Sequence, residues 1–242
     1  MLTTQSGRNS GGEVFYPTTR APHPAVILIP GCTAAADAGP AEVLEPYTAW
    51  GERLAAAGYV ALLVGGGSGD RAGLRCGEAA SRAAVVMERV AQADAAYRLL
   101  ERSGRVDMGR VGLMGWSQGA DGVLAAVDDA RGNDAAGPYK AAITFYPDCA
   151  LGSTWKPQAP VMMLFGNVDS WAPVASCASR AAHAQGRTAP SIQLLTYAAA
   201  RAGFDAASAD SKTHTAADFR AKLLADMGAL NLLNRLLSAG RR

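Results

Sequence analysis

The residues with the plainest chemical potential form the string Gly115-Trp116-Ser117-Gln118-Gly119. An apolar run, Val111-Gly112-Leu113-Met114, leads straight into it, and a helical pattern begins directly after Ser117. A serine flanked by glycines two positions before and after, on a strand-to-helix turn, has its hydroxyl pushed into open space. Only glycine lets the two backbones approach that closely. The chemistry this suits is nucleophilic acyl transfer. Ser117 would be the nucleophile, and the Gln118 N–H, at a helix start, would be one donor to a developing oxyanion. An ordinary glycine-rich turn is the competing reading, and the flanking strand and helix patterns argue against it.

Such a serine needs a base and an acid that orients it. Asp169 follows the apolar run Val161–Phe165, and Asp148 follows Ala141–Tyr146, so both are expected at the sheet edge that carries Ser117. Either could instead be a solvated loop aspartate. Only three histidines exist. His23, before the first long strand, is expected at the surface, and His183 on the outer face of a helix. His214 stands near the start of the last helix, where capping or exposure is expected and a swing toward Ser117 is the alternative.

The elements that must position these groups are short β-type runs alternating with longer helical patterns. The strand candidates are Val26–Ile29, Tyr59–Val64, Val111–Gly115, Ala141–Tyr146, Val161–Phe165 and Ile192–Tyr197. Several are continuous apolar runs, as strands covered on both faces require. Helices are expected over Trp50–Ala57, Ser81–Arg102, Gln118–Ala130, Pro173–Gln185 and Thr215–Leu237. Their ends carry capping serine, first-turn proline and terminal glycine signals. In the last helix Leu223, Leu224, Met227, Leu230 and Leu233 are expected to form the buried face. The pattern predicts an α/β fold with a mostly parallel sheet and helices on both faces, in a single domain over residues 1–242.

Composition excludes other classes. Hydrophobic residues make up 49% and charged residues 18%, which is globular, and the net charge of +2 comes without a basic stripe. Nucleic acid is therefore not an expected partner. The first residues lack the charged and apolar regions of a signal peptide, and runs such as Val26–Pro30 are too short to cross a bilayer, so a soluble domain is expected. The loop Gly65-Gly66-Gly67-Ser68-Gly69 lacks the Lys-Ser/Thr ending of a phosphate cradle, and no cofactor signature appears. Cys32, Cys76, Cys149 and Cys177 lie far apart without a C-x-x-C pair, which argues against structural zinc and leaves buried thiols or disulfides open.

Taken in order, several segments make the chain resemble the dienelactone hydrolase family of α/β-hydrolases. They are Pro30-Gly31-Cys32, Trp50 with Leu54 and Gly58-Tyr59-Val60, Gly115–Gly119, Gly166-Asn167-Val168-Asp169-Ser170-Trp171-Ala172-Pro173, and Gly203-Phe204-Asp205. The resemblance implies an α/β-hydrolase fold, Ser117 as nucleophile, Asp169 as triad acid and the Cys32 N–H as second oxyanion donor. It also implies a small-molecule ester or lactone as substrate and no cofactor. Cys76 and Cys177 fall in loops that such relatives often furnish with cysteine, so a bridge between them is the preferred disulfide.

The same resemblance exposes a gap. The family's base sits in a loop like Tyr-Pro-Gly-Ala-x-His-x-Phe-Asp, and this chain reads Tyr197-Ala198-Ala199-Ala200-Arg201-Ala202-Gly203-Phe204-Asp205. Ala202 occupies the histidine position, and a methyl group cannot accept the serine proton. Small residues also replace the family's pattern at Pro30–Ala34 and Gly65–Gly67, which suggests an altered site. The function expected is a serine hydrolase of an ester or lactone weakened by loss of its base. The alternative is a non-catalytic binding module, for a small molecule or a protein, on the same scaffold. Trp116, Trp171 and Trp155 are candidate walls of an apolar pocket. Arg71, Arg75 and Arg201 are candidates to meet a substrate carboxylate.

Overall fold

The computed structural model describes residues 2–3, 9–10, 12–31, 40–65, 82–134, 137–149, 154–168, 174–184, 190–206 and 214–238. Two short strands, β1 (Leu2–Thr3) and β2 (Asn9–Ser10), pair with each other. The strands β3 (Gly12–Phe15), β4 (His23–Ile29), β5 (Val60–Val64), β6 (Val106–Trp116), β7 (Ala141–Phe145), β8 (Val161–Gly166) and β9 (Ile192–Tyr197) form one sheet in the order β3-β5-β4-β6-β7-β8-β9. Within this sheet, among the described residues, the β3–β5 pair alone is antiparallel. Between the strands run α1 (Pro40–Ala56), α2 (Arg82–Ser103), α3 (Gln118–Ala126) and α4 (Val174–Ala184), and α5 (Ala216–Leu237) follows β9. This is the α/β-hydrolase fold.

The continuous apolar strands make sense in this frame. Along β4, Ala25, Ile27 and Ile29 join one core with residues of α2, α3 and α4, while Val26 and Leu28 join a second with Trp50 and Leu54 of α1 and the inner face of α5. With both faces covered, every residue of β5, β7 and β8 is buried and no polar alternation survives.

Four expectations need correction. The face of α5 that packs inward is Ala221, Ala225, Ala229, Leu232, Leu233 and Leu237, whereas Leu223, Leu224 and Met227 are 48%, 50% and 62% exposed. Small residues let the helix lie close on the sheet, with Leu237 beside Gly112 and Gly228 over Met162. His23 is buried, its Nε2 3.1 Å from the Thr19 carbonyl, because β4 begins at His23 and is paired there with Val106. The helix expected to begin at Trp50 begins at Pro40, and that expected to reach Ala130 stops at Ala126, where Asp128 bridges to Pro157 and a 3-10 turn over Asp129–Asp134 takes over.

The fourth concerns the cysteines. Cys177 is bonded to Cys149, not to Cys76, with the two Cα atoms 5.3 Å apart. The partner is the cysteine just past β7, which the topology sets beside α4. Cys32 and Cys76 lie outside the described residues.

Candidate active site

Ser117 stands between β6 and α3 with φ 50 and ψ −121, a backbone conformation that a residue with a side chain adopts only under constraint. The constraint is visible on both sides. The Ser117 N–H donates to the Phe145 carbonyl at 3.0 Å, and the Ser117 carbonyl accepts the Asp121 N–H at 3.1 Å. A methyl group on Gly115 would sit 2.6 Å from the Gly119 oxygen, and one on Gly119 would sit 2.1 Å from the Ile29 oxygen. These glycines let β6, α3 and the end of β4 close around the turn. The first-turn amides of α3, Gln118 among them, have no carbonyl partner within the helix and leave its positive end beside the serine.

The chain past β4 approaches the same point. A Cβ on Gly31 would lie 3.2 Å from the Ser117 Cβ. Burial, with the Asp205 charge, pushes the Tyr47 phenol well above its ordinary range, against the opposing pull of the Gly31 backbone. Cys32 follows Gly31 and lies outside the described residues, as do Asp169, Trp171, Arg71 and Arg75.

The loop that carries Ala202 is held on several sides. A Cβ on Gly166 would meet the Ala200 oxygen at 2.2 Å, so the chain leaving β8 toward Asp169 runs against this loop. The Val168 N–H donates to the Ala200 carbonyl at 3.2 Å, and Asn167 Oδ1 accepts the Ala199 N–H at 2.7 Å. Ala199 has φ 58, at the position where the resemblance has glycine. On the other side the N-terminus of α5 grips the loop. Asp218 accepts the Arg201 N–H and guanidinium, each at 2.9 Å, and its Oδ2 closes a capping box with Thr215. Burial pushes the Asp218 carboxyl up, but the Thr215 N–H and the two Arg201 donors outweigh it and hold the group well below its ordinary range. The His214 Nε2 lies 3.2 Å from the Gly203 carbonyl.

Other candidates have different places. Trp116 does not wall an open pocket: its side chain is fully buried, stacked on Phe145 with ring centroids 5.2 Å apart. Trp155 is also core, its Nε1 donating to the Leu124 carbonyl at 2.8 Å. The Arg201 guanidinium is engaged by Asp218. Asp148 is paired with Arg82 of α2. His183 is exposed, as expected, with its Nδ1 on the Ser179 carbonyl.

Sequence reasoning assigned no role to two buried carboxyls near the serine. Asp121, one turn along α3, accepts the Asp148 and Cys149 N–H groups at 3.0 and 3.1 Å, and burial pushes it up to about 7. Asp205 accepts the Tyr146 hydroxyl at 2.8 Å. Burial pushes it up as well, against the pull of Tyr146, Lys222 and Trp116. The signal was an acidic residue inside an otherwise apolar or small-residue stretch, Gly119-Ala120-Asp121 and Gly203-Phe204-Asp205. Among the described residues no group of three or more His, Cys, Asp or Glu side chains could hold a metal ion, and no helix is long and apolar enough to cross a membrane.

Known structures share this architecture. Esterase 2 of Thermogutta terrifontis, solved phosphoramylated by tabun, superposes with a TM-score of 0.68 at 15% identity, covering 96% of this chain and 92% of that one. A protein of Klebsiella pneumoniae subsp. pneumoniae assigned as a dienelactone hydrolase gives 0.69 at 18% identity, with 96% and 95% covered. A puromycin-hydrolyzing peptidase of Mycobacterium tuberculosis gives 0.67 at 18% identity, covering 98% of this chain but 38% of its own. No curated protein matches the sequence. The family model described as PET hydrolase-like matches residues 2–208, and the chain belongs to that family of α/β-hydrolases.

Proposed function

We propose that this chain is a serine hydrolase of a carboxylic ester or lactone, of the dienelactone hydrolase type, whose turnover is suppressed because Ala202 stands where the general base belongs. The observation that carries this reading is Ser117 at φ 50 on a turn closed by Gly115 and Gly119. A strained serine at the end of a buried strand is costly unless its exposure serves chemistry.

In this reading Ser117 Oγ attacks the substrate carbonyl, and the Cys32 and Gln118 N–H groups receive the oxyanion. The proton leaving Ser117 needs an imidazole at position 202, oriented by Asp169. In support of this reading, Ala199 and Ala200 of the loop that carries Ala202 are hydrogen-bonded to Asn167 and Val168, in the segment leading to Asp169. Triad deletions in other serine hydrolases lower turnover by roughly four to six orders of magnitude, and a loss of that order is expected here. Trp171 and Arg71 remain candidates for contact with the acyl and carboxylate parts of a substrate.

The test is hydrolysis of p-nitrophenyl acetate by the parent, Ser117→Ala and Ala202→His. A gain in Ala202→His of at least about a hundredfold, abolished by adding Ser117→Ala, supports the reading. No gain sinks it and favours a binding role on the hydrolase scaffold.

A further inference from the structure

In the sheet, β7 and β8 stand between β6, which carries Ser117, and β9, which leads to Ala202. Three strand spacings of about 4.8 Å separate those two strands. The loop leaving β9 must therefore be drawn back across the ends of β8 and β7 before position 202 can face the serine. Backbone contacts with Gly166 and Val168 secure the loop only as far as β8.

The remaining span is bridged by Asp205 and Tyr146. Tyr146 is the first residue past β7, and the carbonyl just before it, that of Phe145, accepts the Ser117 N–H at 3.0 Å. Its hydroxyl donates at 2.8 Å to Asp205, a side chain 3% exposed and three positions beyond Ala202. The rings support the same crossing: Phe204 lies 6.1 Å from Tyr146 and 6.2 Å from Phe145, centroid to centroid. From the far side Lys222 Nζ donates to the Asp205 carbonyl at 2.6 Å.

We infer that Asp205 is a positioning residue: through the hydrogen bond it accepts from Tyr146, it draws the loop bearing position 202 across β8 and β7 to the serine turn. A carboxyl group is suited to this because its oxygen accepts the phenol from within a buried region, where losing a hydrogen bond costs more than at the surface. The inference rests on reading position 202 as the place of the base, and its first test does not need that reading to hold.

The test uses the full chain carrying Tyr146→Phe, Asp205→Asn or Asp205→Ala. Hydrogen exchange is followed at the Phe204 and Ala206 amides, which donate within the loop to Arg201 and Gly203. Tyr146→Phe and Asp205→Ala are expected to speed exchange there about tenfold or more, while the amides of β4 and β6 stay protected. Asp205→Asn keeps an acceptor oxygen and is expected to stay within about threefold of the parent. Unchanged exchange in Tyr146→Phe, or Asp205→Asn as fast as Asp205→Ala, overturns the inference. Should Asp205→Ala fail to fold, Tyr146→Phe decides.

The second readout adds Tyr146→Phe to Ala202→His, where kcat is expected to fall about tenfold with KM within about twofold. An active Ala202→His enzyme whose kcat ignores Tyr146→Phe also overturns it. An inactive Ala202→His counts against the hydrolase reading alone, and the exchange result still decides the role of Asp205.

Discussion

His214 Nε2 lies 3.2 Å from the carbonyl oxygen of Gly203, so an imidazole is attached by its ring to the loop that carries Ala202. The contact ties His214 to the loop's backbone. To serve Ser117 through Nε2, the ring would have to give up that hydrogen bond.

His214→Ala is therefore expected to leave any Ser117-dependent hydrolysis of p-nitrophenyl acetate within about twofold of the parent, while costing about 0.5–1.5 kcal/mol of stability for the lost hydrogen bond. Paired rate measurements and denaturant titrations check this. A loss of all Ser117-dependent rate would make His214 the working base.

Ala199 offers the opposite case, a residue whose backbone is wrong for its side chain. At φ 58 it sits in the left-handed region, held by the Asn167 side chain through its N–H. Ala199→Gly relieves a clash worth about 1–2 kcal/mol and returns part of it as chain entropy, about 0.5–1 kcal/mol. The expected outcome is a rise in Tm of about 1–4 °C by calorimetry, with no change in the fold.

The strands were legible because burial on both faces leaves a continuous apolar run, as in Val60–Val64 and Val161–Gly166. The serine turn was legible because Gly115 and Gly119 have no substitute at their contact distances. The inner face of α5 was not: size pointed to Leu223, Leu224 and Met227, but proximity to the sheet favoured Ala221, Ala225 and Ala229. His23 was misread because a polar residue at the start of a strand gives no sign that the neighbouring strand will cover it. The Tyr146–Asp205 bond joins residues 59 positions apart, and no local pattern encodes such a pairing.

The disulfide invites a direct check. Peptide mapping without reduction should recover Cys149 linked to Cys177, and no Cys76–Cys177 species. Closing a loop of 28 residues restricts the unfolded chain by about 3–4 kcal/mol in the chain-entropy description. A Cys177→Ser variant is expected to lose about that much in denaturant titration. Recovery of Cys76–Cys177 instead would overturn the Cys149–Cys177 pairing.

Two glycine substitutions should move stability in opposite directions. Gly119→Ala drives a methyl group into the backbone oxygen of Ile29, which no rotamer change relieves, and should cost about 3 kcal/mol or more. Gly228→Ala, inside α5 with its nearest neighbour the Met162 sulfur at 3.9 Å, should gain about 0.5–1 kcal/mol from helix propensity. Calorimetry of both variants, normalised to the parent, separates a required glycine from a tolerated one.

Asp121 should write itself into the pH dependence of stability. Burial lifts its carboxyl from 3.8 to about 7, with the Asp148 charge pushing the same way, while the Cys149 and Asp148 N–H groups and Arg82 oppose. Between about pH 4 and pH 7 the folded chain keeps a proton that the unfolded chain has released. The native state therefore binds more protons, and this group's contribution to stability falls as pH rises through that window, levelling off above it. Asp121→Asn keeps an acceptor for both N–H groups but carries no charge. Its stability relative to the parent should rise from pH 4 to pH 7 by an amount on the order of a few kcal/mol and then stay flat. Denaturant titrations of both proteins at several pH values test this. A difference that ignores pH, or shrinks as pH rises, would mean that Asp121 is ionised throughout and stabilised by its two N–H donors.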